Sequence, residues 1–197
     1  MVVRGGGMPT AGDNVMIGLI RMRGFTVTPF ADNVVQASDV ASMDLVVISS
    51  SAESAPLGTR LRDVAVPMLC VENGQYRNQG MTGTTRDTNW GEITDQTAVT
   101  IAPGASELVG TFTGNVTISS AAGPIGWGLP AQTAIVGATV VGNANQSVIF
   151  GYTRGAQMVG MTAPARRAGF AIREVLATNL NADGKKLFDS VLTWVMQ

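Results

Sequence analysis

The stretch MDLVVISSS, residues 43–51, carries four consecutive apolar residues, two of them β-branched valines, and ends on three serines. It shows neither the alternation of a half-buried strand nor the spacing of a helix face, so it suits a strand covered on both sides. A strand of that kind needs helices above and below it, which restricts the chain to an α/β design with a parallel sheet. The neighbouring segments agree. MVVRGGG reads as a short strand running into glycines, FTVTPF as another, and VPMLCVENGQY, residues 66–76, as a third buried strand. Between them, TAGDNVMIGLIRMRG predicts a helix with Thr10 and Asp13 at capping-box spacing, Val15, Met16, Leu19 and Ile20 on one face, and Gly24 at its end. A second helical segment is expected around residues 57–64.

The pattern changes after residue 94. TAVTIA, GNVTISS, TAIVGATVVG, SVIFGYT and AQMVGMT are short β-rich runs separated by Gly, Asn and Pro, and they predict antiparallel hairpins added to the sheet over about 94–161. The chain closes on a helix with Asn181 as N-cap and Leu187, Phe188, Val191, Leu192 and Val195 as an apolar stripe. No linker interrupts the apolar pattern, so residues 1–197 are expected to form a single domain.

Charged residues make up 14% of the chain, against roughly 25% in ordinary globular proteins, and the formal net charge is −1. Lys185 and Lys186 are the only lysines and no basic cluster occurs, which argues against nucleic-acid or anionic-membrane partners. No run reaches the ~18–20 apolar residues of a membrane span, and MVVRGGG is not a secretory signal, so a soluble chain is expected. Sparse charge and abundant glycine suit a surface covered by neighbours, and a homo-oligomer or larger assembly is the expected state.

Histidine is absent and Cys70 is the single cysteine. A Ser-His-Asp or Cys-His catalytic set cannot be built, and neither can the usual zinc and iron sites, so no catalytic residue, metal or cofactor is assigned. GGGMPTAGDN resembles a phosphate loop only in its glycines. Asp13 stands where the lysine is needed and would repel a phosphate. DTNWGE offers Asp87, Asn89 and Glu92 as oxygen ligands, too few for a calcium loop. Ser49 and Ser50 sit at the carboxyl end of a strand, where open α/β sheets place ligands. Arg166 and Arg167 could clamp an anion, although pairing with a carboxylate of the same fold is the favoured reading.

MDLVVISSS, RDVAVPML, GMTG, EITD, APARRAGF and NLNADGKKLFDSVLTW follow one another in an order that resembles a bacterial domain family of the class I glutamine amidotransferase-like superfamily, related to the ThuA-like proteins. The resemblance implies a flavodoxin-like parallel sheet flanked by helices, and an accessory module in extracellular or surface proteins. In the superfamily the nucleophilic cysteine follows a strand in a form like P-I-L-G-I-C-x-G. On PMLCVENG that form places Cys70 at the first glycine and Glu72 at the nucleophile position, so the amidotransferase chemistry is lost while the scaffold remains.

Three functional expectations follow. The first is a non-catalytic structural or interaction module that forms part of a homomeric coat, filament or surface layer. The alternative is a hydrolase or lyase on a small polar or sugar substrate, with Glu72 as acid or base and Asn73, Gln75 and the strand-end serines orienting the substrate. Carbohydrate binding without catalysis would need exposed aromatic platforms, for which Trp90, Trp127 and Tyr152 are the candidates, Trp194 being assigned to the core.

Overall fold

Alternate residues of the buried strands separate two hydrophobic layers, one on each face of a single mixed sheet, in a computed structural model that describes residues 2–197. The strands are β1 (Val2–Arg4), β2 (Pro29–Ala31), β3 (Val46–Ile48), β4 (Met68–Cys70), β5 (Trp90–Gln96), β6 (Ala98–Ile101), β7 (Asn115–Thr117), β8 (Gly123–Gly128), β9 (Ile135–Val140), β10 (Asn143–Tyr152) and β11 (Arg167–Phe170). The helices are α1 (Ala11–Met22), α2 (Ala37–Val40), α3 (Ser54–Leu57), α4 (Ser106–Val109), α5 (Glu174–Thr178) and α6 (Ala182–Val195). The main path runs β2, β1, β3, β4, β11, β10, β9, β6, β7, with β8 joining β10 and β5 pairing with β8.

From β2 to β11 all pairs are parallel, and from β11 onward they are antiparallel. This is the α/β sheet with antiparallel additions that the apolar runs predict. Val2, Val47, Leu69, Ala168 and Phe170 face the layer built by Met16, Ile17 and Ile20 of α1 and by Leu187, Phe188, Val191, Leu192 and Val195 of α6. Val3, Val46, Ile48, Met68 and Cys70 face the opposite layer, with Val40, Leu57, Leu61, Tyr76 and Met81. No helix among the described residues is long and apolar enough to cross a membrane.

Several local expectations shift. The buried stripe of α1 is Asp13, Met16, Ile17 and Ile20, and Val15 and Leu19 are only half-buried. FTVTPF contributes only Pro29 and Phe30 to a strand. The helix expected around 57–64 lies earlier, at α3, because Gly58 takes φ 55° and stops it, and turns follow. AQMVGMT forms an isolated bridge, Gln157 to Thr162, instead of a full strand. Three strands are not among those expected from the sequence: β5, the glycine-rich β8, whose sequence is GPIGWG, and β11, whose sequence is RAGF.

The α6 start is bonded to the β7 edge. The Asn181 side chain accepts from Gly184 N at 2.9 Å and donates to Thr117 O at 2.8 Å, and its own N–H donates to Ile118 O at 3.0 Å. A Cβ at position 184 would collide with the backbone oxygen of Ile118. Alanine normally favours a helix interior over glycine by about 1 kcal/mol, yet here backbone stands in the way and cannot rotate aside. Gly184→Ala is therefore expected to destabilise by about 1–3 kcal/mol in urea unfolding, and a gain in stability would contradict this packing.

Candidate functional site

The carboxyl ends of β1, β3, β4 and β11 meet at one end of the sheet. In an open α/β sheet the ligand crevice lies outside these ends, where the chain leaves a central strand in both directions. Here β1 sits between β2 and β3, so the crevice is bounded by Gly5–Gly7, Ser49–Ser51 and the start of α1. It is filled by the protein's own carboxylates. Thr10 and Asp13 form the capping box: Thr10 Oγ1 accepts from Asp13 N at 3.1 Å, and Thr10 N donates to Asp13 Oδ2 at 2.8 Å. Asp13 Oδ1 also accepts from Ser49 Oγ and, at 2.7 Å, from Ser51 Oγ. Ser51 Oγ in turn accepts from Gly5 N at 3.1 Å. The carboxylate of Glu174 completes the arrangement, accepting from Gly12 N at 2.7 Å and from Thr10 Oγ1 at 2.9 Å. A helix N-terminus favours an anion, and at α1 that anion is internal. A Cβ at position 12 would press on Glu174 Oε2, so the carboxylate could keep this position only by shifting.

Glu72 lies at the end of β4 and caps the short 3-10 turn Asn73–Gln75, with Oε1 accepting from Gly74 N at 2.9 Å. Its Oε2 accepts from Arg173 Nη1. The same guanidinium reaches Glu92 Oε2 of β5 through Nε at 2.9 Å and Ser50 O through Nη1 at 3.3 Å. One arginine thus bridges two carboxylates and a backbone carbonyl. The Glu72 side chain is 11% exposed and that of Arg173 31%. Burial raises the Glu72 carboxyl above its ordinary value of 4.5, and the Arg173 charge and the Gly74 N–H pull it back only in part. Glu72 does not line any of five well-defined surface cavities.

The remaining candidates divide. Asn73 donates to Gly91 O at 2.7 Å and fixes β5 against the 3-10 turn. Gln75 donates to Ser54 O at 3.2 Å and accepts from Gln79 at 3.1 Å. Ser50 Oγ is buried with no hydrogen-bond partner among the described residues, while its carbonyl serves Arg173. Ser49, Ser50, Glu72, Asn73 and Gln75 are therefore gathered at one end, and most of their polar groups are bonded to other groups of the protein, among them Asp13, Arg173, Gly91 and Ser54.

Arg166 and Arg167 lie at the amino end of β11, the opposite end of the sheet, and neither pairs with a carboxylate among the described residues. The fully buried Arg167 donates to the carbonyls of Val66 at 2.7 Å and Val64 at 2.5 Å. Desolvation lowers it to about 10. Arg166 stacks over Trp194 at 4.6 Å and donates to Trp194 O at 2.9 Å. The doublet starts β11 and anchors α6, so the expected carboxylate pairing is replaced by carbonyls and a ring. Trp90, Trp127 and Tyr152 are buried and present no platform, and Trp194 is in the core as expected. Glu92 turns to Arg173 and Asn89 accepts from Thr85 N at 3.2 Å, so DTNWGE does not converge on a cation.

Cys70 is buried, its thiol donating to Glu72 O at 3.3 Å. Burial, and then the Glu72 charge, push the thiol well above its ordinary value. It is one more small residue in the apolar layer. The arrangement that sequence reasoning misses is the Arg173–Glu174 pair after β11. Its signal, two charges directly following an apolar strand, is present in GFAIREV.

No family model and no curated protein matches the chain. Among solved structures it is similar to a Thermoplasma acidophilum protein described as a subunit of a "putative GMP synthase", at 14% identity and a TM-score of 0.60, over 98% of this chain and 92% of that one. The likeness establishes a coarse glutamine amidotransferase-like α/β fold.

The Glu72 shift has a definite sign. Between pH 4.5 and the raised folded value, the folded chain holds a proton that the unfolded chain has released, so this group makes stability fall as pH rises through that window. Glu72→Gln is expected to remove that slope from urea unfolding midpoints. Arg173→Gln should steepen it and cost about 2 kcal/mol near neutrality, less than the cost of breaking a fully buried pair because Arg173 is partly solvated. Cys70 should resist iodoacetamide in the native state and react once the chain unfolds.

Proposed function

We propose that the chain is a non-catalytic interaction module, an amidotransferase-like scaffold that works by presenting surface to further copies of itself in a larger assembly. One observation carries the first part of this reading. Asp13, Glu72 and Glu174, the carboxylates around the strand-end crevice, all have intramolecular donors. A side chain that must take or give a proton to substrate needs a free path to it.

The assembly part rests on the surface. Charge is sparse, and Met8, Met22 and Val34 are 88%, 76% and 59% exposed. The main sheet ends on β2 and β7, and β5 ends the side ribbon. Strand edges and exposed apolar side chains are the features through which copies of one chain associate. Size-exclusion chromatography with light scattering is expected to give a mass of two or more chains, rising with concentration. A monomer at every concentration would overturn the assembly.

A second reading is favoured by the Glu72 environment alone. A carboxyl with raised proton affinity, beside an arginine that also holds Glu92, has the makings of an acid in a hydrolase or lyase. Screening the purified chain against glycosides and polar esters separates the two. Turnover lost in Glu72→Gln with the fold preserved would establish the enzyme and displace the module.

A further inference from the structure

The largest of the described cavities, about 520 Å3, shares no lining residue with the Glu72 cluster. Its wall is formed by residues 77–84 after the 3-10 turn, by the segment holding Thr59 and Arg62, and by the turn Val159–Met161. No acidic side chain lines it, in a chain whose acids slightly outnumber its bases.

Arg77 is the principal cation. Its guanidinium meets no carboxylate or carbonyl among the described residues and lies 5.0 Å over the ring of Trp90. Trp90 is itself buried, and its Nε1–H donates to Thr84 O at 3.2 Å. A single fixed indole therefore sets both Arg77 and Thr84 on the cavity wall, which lowers the ordering cost of binding. Arg86 shares the same ring at 5.8 Å and pairs loosely with Asp87 at 3.8 Å. Arg62 adds positive charge, partly offset by Asp63 at 3.2 Å.

The uncharged groups are equally open. The hydroxyls of Thr59 and Thr84 make no hydrogen bond among the described residues, and Asn78, whose amide donates to Ser54 O at 2.9 Å, keeps its side-chain oxygen free. Met161 supplies an apolar patch. An inorganic oxyanion would leave most of this volume and these groups unused, whereas a cleft of this size takes an organic molecule, and the open hydroxyls and amide oxygen of its wall call for one that carries several polar groups.

We propose that this cleft binds an acidic sugar: the Arg77 charge takes the place of the aromatic platform that a neutral carbohydrate would need, with the carboxylate on Arg77, hydroxyls on Thr59, Asn78 and Thr84, and a ring face on Met161. The site is independent of whether the chain assembles, and no bond is made or broken in it.

Titration of the 15N-labelled full chain with digalacturonate tests this. Saturable shifts of amides 77–84 and 159–161 are expected, with none from galactobiose, the neutral counterpart. Arg77→Gln, a surface change whose spectrum should otherwise be unaltered, is expected to weaken binding roughly tenfold to a hundredfold, the range for a hydrogen bond to a charged group. Thr84→Val should weaken it less and leave the positions of the shifts unchanged. Absence of saturable shifts up to about 50 mM, a range that would reach even very weak sites, would overturn the proposal. So would shifts centred elsewhere, binding unchanged in Arg77→Gln, or inorganic sulfate binding as tightly as digalacturonate.

Discussion

Two adjacent residues that follow β11, Arg173 and Glu174, tie together most of the carboxyl end of the sheet. Arg173 holds Glu72 at the end of β4, Glu92 on β5 and the carbonyl of Ser50 beyond β3. Glu174 holds the N-terminus of α1 through Gly12 and Thr10. The pair therefore fastens three parallel strands, a helix and the antiparallel ribbon to one point. It also determines what the crevice can accept. The helix N-terminus, which would attract a phosphate in a nucleotide-binding relative of this architecture, already has its anion.

The two ends of the sheet treat buried charge differently. At the carboxyl end charges are paired, and yet the Glu72 carboxyl is raised, because the loss of hydration outweighs the attraction of a partly solvated arginine. At the amino end Arg167 has no counter-ion within bonding distance among the described residues and is held by carbonyl oxygens of the 62–66 segment. Desolvation lowers its proton affinity, and the Asp63 charge nearby offsets only part of that loss. In neither place is net stability the evident gain. Such groups accept only one arrangement of their neighbours, and the gain is in specificity.

The parts of this fold that could be read from sequence are those where one residue type does one job. Val46, Val47 and Ile48 are apolar because both faces are covered, and Thr10 with Asp13 caps a helix within four residues of chain. The features that escaped reading depend on distant partners. GPIGWG is not apolar enough to announce a strand, since Gly126 and Gly128 are small in order to admit Asn73, Ala171, Thr82 and Phe150. Arg173 acts on a glutamate 101 positions away, and no local spacing reveals that. The Arg166–Arg167 doublet was the more conspicuous arginine signal and lies at the wrong end of the sheet. Glu72 was legible as a strand-end carboxylate, but its partner was not.

Charge was used where apolar packing could not decide register. β1, β3 and β4 are each three residues long, so few ladder bonds resist sliding. A slip by one residue is prevented by the facing of the side chains, which would exchange the two core layers. A slip by two preserves the facing, and Val, Ile, Met and Leu are similar enough to repack. The strand-end bonds forbid it. Ser51 can reach Gly5 N and Asp13 together only in one register of β1 against β3, and Arg173 can meet both Ser50 O and Glu72 only in one register of β3 against β4. The crevice outside the strand ends, where open α/β sheets place ligands, is here occupied by the groups that align the sheet, so opening it for a substrate would weaken the alignment of the strands that bound it.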